Sequence, residues 1–74
     1  MLNQNDGLHF TMRQAQIVAL AADSLTDKEI AARLGLSVHT VRTHFHRIYQ
    51  ENHIRNRVAA VRLWLRSRGL DEPA

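Results

Sequence analysis

Cysteine is absent from the chain, which excludes a disulfide framework and a thiolate zinc site. No apolar run approaches the roughly 18 residues that a membrane span needs. The N-terminal MLNQNDGLHF lacks the basic start and apolar stretch of a secretory signal. No segment alternates with period two over a useful length, so no sheet is expected. The sequence also shows no nucleophile–base pair, no metal cluster and no glycine-rich phosphate loop, so it does not read as an enzyme and implies no cofactor. With 74 residues and 45% hydrophobic content, it has room for one small folded domain of modest stability, expected in a reducing cytoplasm.

Acidic residues are scarce in the second half. Residues 1–36 carry Arg13, Lys28 and Arg33 against Asp6, Asp23, Asp27 and Glu29, a net charge of −1. Residues 37–70 carry Arg42, Arg47, Arg55, Arg57, Arg62, Arg66 and Arg68 against Glu51 alone, a net charge of +6. Four of the five histidines lie in that basic half. Such asymmetry points to a polyanionic partner.

The remaining signals are helical. Thr11 with Gln14 and Thr26 with Glu29 have capping-box spacing, so each marks a helix start. After Thr11, Ala15, Val18, Ala19 and Ala22 recur at helical intervals until about Asp23-Ser24. After Thr26 comes DKEIAARL, a short helix with Ile30, Ala31 and Leu34 on one side and Gly35 as its stop. Ser37 caps a third helix running from Val38 to about Glu51, with Val41, Phe45 and Ile48 facing the core. Asn52-His53 ends it, since both residue types tolerate the left-handed backbone region. Asn56 caps a last helix from Arg57 to about Arg68, closed by Gly69. The expected fold is an all-α four-helix bundle without a sheet.

The stretch LSVHTVRTHFHRIYQ contains three histidines. On a helix, His39 and His46 share a face with Arg42, Thr43 and Gln50, whereas His44 projects beside the core row. Helical metal pairs favour i, i+4 spacing. Here the successive histidine spacings are five and two, and no nearby carboxylate completes a site, so no metal is expected. The face is instead rich in hydrogen-bond donors and nearly free of acid. Arginine can fork onto guanine, threonine can touch a thymine methyl, and histidine can donate to a base or phosphate. A short helix and a glycine-containing turn precede it, in helix-turn-helix order.

These residues carry a resemblance. The run LTDKEIAARLGLSVHTVRTHFHRI, with IRNRVAAV after it, resembles the LuxR/GerE-type DNA-binding domain, whose pattern is E-I-A…L-G-[IL]-S-x-x-T-V-[KR]-x-H. Glu29, Ile30, Ala31, Leu34, Gly35, Ser37, Thr40, Val41, Arg42 and His44 match in register, as do Asn56-Arg57 and Ala60-Val61. The resemblance implies a domain over residues 10–70, between an N-terminal arm at 1–9 and a frayed tail at 71–74. It further implies a transcriptional regulator whose third helix enters the major groove of double-stranded DNA. Arg42, Thr43, His46 and His39 would then read bases, while Lys28, Ser37, Thr40, Arg47, Gln50 and Arg57 would contact phosphates. The sequence departs from the pattern at a few positions. Gln14 stands where glutamate is usual, Ser24 replaces a customary glycine, and Glu51-Asn52-His53 replaces a K/R-L-G-like ending.

The last helix is apolar nearly all round, more so than a small core can use. With the resemblance, this suggests a homodimer seam at Val58, Ala59, Arg62, Leu63 and Arg66, formed at least on DNA. Contact with RNA polymerase is a further expectation. The chain has no room for a sensing or phosphoacceptor domain, so it reads as a free-standing regulator or the output domain of a larger one. Two alternatives remain at this point. One is the last region of a sigma factor, and the other is a helix-turn-helix module that pairs with another regulator and contacts DNA weakly or not at all.

Overall fold

The computed structural model describes residues 10–68. It contains four helices: α1 (Met12–Ala22), α2 (Asp27–Leu34), α3 (Val38–Asn52) and α4 (Arg57–Ser67), with no strand among the described residues. The expected arm at 1–9, the Gly69 stop and the tail at 71–74 lie outside the described residues.

Each helix begins on the side chain that the sequence marked. The Thr11 hydroxyl accepts from the Gln14 backbone N–H at 3.1 Å, and the Gln14 side chain accepts from the Thr11 N–H at 2.9 Å. Thr26 and Glu29 repeat the exchange at 3.2 and 2.8 Å. The Ser37 hydroxyl accepts from the Thr40 N–H, and the Asn56 side-chain Oδ1 accepts from the Ala59 N–H. A cap of this kind contributes about 1 kcal/mol. Four of them matter in a domain this small.

Three helix ends share one device. Ser24, Gly35 and His53 adopt left-handed backbone at φ +70°, +70° and +56°. The next residue's N–H then reaches back five residues: Leu25 to Leu20, Leu36 to Ala31, and Ile54 to Tyr49, at 3.1, 2.9 and 3.0 Å. This is the Schellman arrangement, with the apolar residue after the turn folded back toward the helix. Leu25, Leu36 and Ile54 all pack against the core.

The core is formed by Ile17, Val18, Ala21, Ile30, Ala31, Val41, Phe45, Ile48 and Ala60. The expected rows on α2 and α3 face inward as read. On α1 the inward face is rotated from the alanine row. Gln14, Ile17, Val18 and Ala21 are buried, and Ala15, Ala19 and Ala22 are only half-buried. The larger Ile17 and Val18 offer more apolar surface than alanine, so they set the helix rotation. Helix α2 packs on α3, and α1 packs on α4 and the inner side of α3. These contacts bury the inner side of α3 and leave its outer face in solvent.

Gln14 is the one buried polar residue among those described, at 3% exposure. Its carbonyl oxygen serves the Thr11 cap, and its Nε2 donates to Glu51 Oε1 at 3.1 Å. Two of the departures from the family pattern are therefore partners. Asn52, a third, donates from Nδ2 to the Ile48 carbonyl at 2.9 Å, tying its amide to its own helix rather than burying it unpaired.

Candidate nucleic-acid interface

On α3, residues 41, 45 and 48 are spent on the core, so helical periodicity turns 39, 42, 43, 46, 47 and 50 outward. His39, Arg42, Thr43, His46, Arg47 and Gln50 are all exposed. They span eleven residue steps, or about 16 Å of helix. The α3 sequence holds a single acid, Glu51, and that carboxylate accepts from Gln14 on α1. The outer face thus presents arginine, histidine, threonine and glutamine without an acid of its own. His44 is half-buried on the flank of the core row.

The expected phosphate residues divide by environment. Lys28 is exposed on α2. Ser37 is exposed and Thr40 half-buried, and the Ser37 hydroxyl donates to Thr40 Oγ1 at 2.9 Å. Both hydroxyls are thereby drawn into the α3 cap, where their lone pairs and protons are partly used. Arg57 is the most committed. Its Nη1 donates to Asp27 Oδ1 at 2.6 Å, its Nη2 donates to the Leu25 carbonyl at 2.6 Å, and its guanidinium carbon stands 4.7 Å from the centre of the Phe45 ring. A planar fork held at both ends and stacked on an aromatic face is well fixed.

Asp27 was not singled out in the sequence, yet it joins two of the expected site residues. Arg57 donates to one carboxylate oxygen, and Arg42 Nε donates to the other at 3.3 Å. Burial pushes the Asp27 carboxyl up, but the hydrogen bonds and charges of Arg57 and Arg42 outweigh it and hold the group below its ordinary value. It is a carboxylate at neutral pH. Asp27, Arg42, Phe45, His46, Tyr49 and Arg57 together line an open cleft beside the outer face of α3. Burial also raises the Tyr49 phenol above 10.0, so it remains a neutral donor there. No sequence signal tied Asp27 to residues 15 and 30 positions later. As the first residue of α2 it looks like ordinary helix-start acid, favoured by the helix dipole.

On α4 the residues 58, 62 and 66 form one stripe with 59 and 63 beside it. Val58 is 66% exposed, Arg62 and Arg66 are exposed, and Ala59 and Leu63 are half-buried. Only Ala60 of this helix is fully buried. At the C-terminal end, the Arg68 guanidinium lies 5.0 Å from the Trp64 ring centre. Among the described residues, no three His, Asp or Glu side chains converge as a metal ion would require, and no helix is long and apolar enough to cross a membrane.

Residues 8–64 match the family model for bacterial regulatory proteins of the luxR family, GerE. The chain is similar to the probable transcriptional regulatory protein SgaR of Hyphomicrobium methylovorum, at 35% identity over 63 residues, covering 85% of this chain and 30% of that protein. It is also similar to the nitrate/nitrite response regulator protein NarP of Escherichia coli K12, at 36% identity over 59 residues, covering 80% of this chain and 27% of NarP. The chain thus spans less than a third of the length of these two relatives. No solved structure matches it at a significant level.

Proposed function

The chain belongs to the LuxR family of bacterial regulatory proteins, which are not enzymes, and from that premise we propose that it binds double-stranded DNA sequence-specifically by laying α3 in the major groove. The observation that carries this reading is the uncovered outer face of α3, with Arg42, Thr43, His46 and Arg47 exposed and the helix's only acid bonded to α1. Arg42, Thr43, His46 and His39 read base edges. Lys28, Arg47 and Gln50 hold phosphates, with Ser37 and Thr40 presenting the capped start of α3 to the backbone. Arg57 stands at the edge of this set, where its charge attracts phosphate while its fork supports Asp27.

Two copies meet through the Val58, Ala59, Arg62, Leu63 and Arg66 stripe of α4 when bound to paired half-sites, in inverted or direct order. In the inverted order, which a two-fold dimer matches, their centres lie about 10 base pairs apart, because its recognition helices sit one turn apart. The protein acts in the cytoplasm, and transcriptional output passes through contact with RNA polymerase. The Gln14–Glu51 hydrogen bond supports this reading over a module that avoids DNA, because it draws the one α3 carboxylate toward α1.

The test is a titration of duplex DNA against salt, followed by selection of bound sequences from a random pool. Neutralising several phosphates makes affinity fall steeply as salt rises, and selection should return a consensus with a guanine opposite Arg42. A flat salt response with no enriched sequence refutes DNA binding.

A further inference from the structure

We infer that Asp27 is a specificity-determining positioning residue, which aims the Arg42 guanidinium so that its free end meets a guanine. The inference rests on the DNA-binding reading above and adds a residue on α2 to a recognition surface built on α3.

The geometry starts with the donors of arginine. A guanidinium has five N–H donors, and two different edges can make a forked contact: the side edge bearing Nε, and the end bearing Nη1 and Nη2. Arg42 gives its Nε to Asp27 Oδ2 at 3.3 Å. That use of the side edge leaves the end pair for the O6 and N7 acceptors of guanine, the commonest forked contact to a base. The Arg42 side chain is 70% exposed. Without a partner, a long exposed side chain samples many rotamers, and fixing one of them on DNA carries an entropy cost.

Asp27 is itself held. Its side chain is 24% exposed, and Arg57 Nη1 clamps its other oxygen at 2.6 Å. Arg57 cannot easily swing away, because its Nη2 is on the Leu25 carbonyl and its plane lies over Phe45. The chain of contacts therefore runs from the backbone between α1 and α2, through Arg57 of α4 and Asp27 of α2, to Arg42 on α3. Three helices converge on the direction of one side chain. The carboxylate also repels phosphate, so it disfavours Arg42 turning to the DNA backbone, where it would carry no sequence information.

A residue that only supports folding and one that aims Arg42 make opposite predictions for indifferent DNA. In the 74-residue chain, Asp27→Ala should lower discrimination for guanine over the other bases by about tenfold at one position per half-site. Binding to scrambled duplex should tighten, because a negative charge leaves the surface and Arg42 is free to reach phosphate. Discrimination at the other positions should hold. In an Arg42→Ala background, Asp27→Ala should cause no further loss at that position. Thermal unfolding monitors folding throughout. If the alanine variant does not fold, Asp27→Asn takes its place: it keeps an acceptor for one arginine but loses the charge, so its loss at the same position should be smaller and of the same kind. Undiminished discrimination at every position overturns the inference. So does weakening by the same factor on every duplex, which would mark a purely structural residue. Failure of the unaltered chain to show salt-dependent duplex binding is a separate result that removes the DNA-binding reading itself.

Discussion

Replacing Ser24 by glycine isolates the cost of a left-handed backbone, because the turn recurs in this fold with and without a side chain. Ser24, Gly35 and His53 hold the left-handed place in the turns that end α1, α2 and α3, with φ between +56° and +70° and the same five-residue return bond from the next residue. An L-residue there meets its own carbonyl oxygen, at about 1–2 kcal/mol. Glycine avoids that contact but gives back about 0.5–1 kcal/mol as the extra freedom of its unfolded chain. Ser24 and His53 are exposed, so neither substitution empties the core. Ser24→Gly should therefore stabilise by about 0.5–1 kcal/mol. His53→Gly should gain less, since histidine tolerates this region better than most residues. Gly35→Ala is the reverse experiment. A Cβ built there meets nothing within 4 Å, so its cost is in the backbone alone, about 1 kcal/mol of destabilisation. For a domain of this length, each 1 kcal/mol moves the midpoint by about 4–8 °C, which thermal unfolding followed by circular dichroism resolves. If Gly35→Ala lowers the midpoint while Ser24→Gly leaves it unchanged or lowers it, the conformational cost assigned to Ser24 is wrong.

Arg42→Ala should weaken binding to the preferred site by about 1–3 kcal/mol and relax base preference at one position per half-site; equal weakening on all sequences would make Arg42 a phosphate anchor. Arg47→Ala should give that uniform loss with a shallower salt slope, measured by the same titration. Glu51→Lys should tighten binding to random duplex at low salt, yet lower stability because Gln14 Nε2 loses its acceptor; unchanged low-salt affinity would place residue 51 away from DNA. Leu63→Glu should reduce binding to paired half-sites while sparing single ones, and sedimentation showing one protein per paired site with normal binding by the variant would end the dimer model. The Asp27 carboxyl is held below its ordinary 3.8, so its ion pairs add stability that is full above that value and lost as pH falls through the lower folded value. The stability difference between the native chain and Asp27→Asn should therefore shrink below pH of about 4, and a pH-independent difference would show that the pairing is not charge-linked.

The helices were legible because their instructions are local. A capping threonine and its partner three residues on, or a glycine after an apolar row, act within one turn, and the four starts fall where those signals stand. The outer face of α3 was legible for a related reason. Once Val41, Phe45 and Ile48 are assigned to the core, the period of 3.6 dictates which residues remain outside. The rotation of α1 was less legible, since alanines at helical spacing fit two adjacent faces and only packing selects the one carrying Ile17 and Val18.

What stayed hidden depends on contacts between segments. Asp27 looks like helix-start acid until α3 and α4 bring Arg42 and Arg57 to its two oxygens. Arg57, read as a phosphate contact, has two of its donors committed inside the fold before any DNA arrives. Gln14 and Glu51 look like separate departures from the family pattern, 37 residues apart. In space they are one change. The usual pattern has an acid at the first position and a base at the second; here the acid is at the second and a neutral amide donates to it. Glutamate retained at position 14 would set its buried carboxylate against that of the exposed Glu51, and two like charges in contact are costly. An amide at 14 serves both neighbours, accepting from the Thr11 N–H and donating to Glu51, and so keeps the α1 cap while anchoring the end of α3.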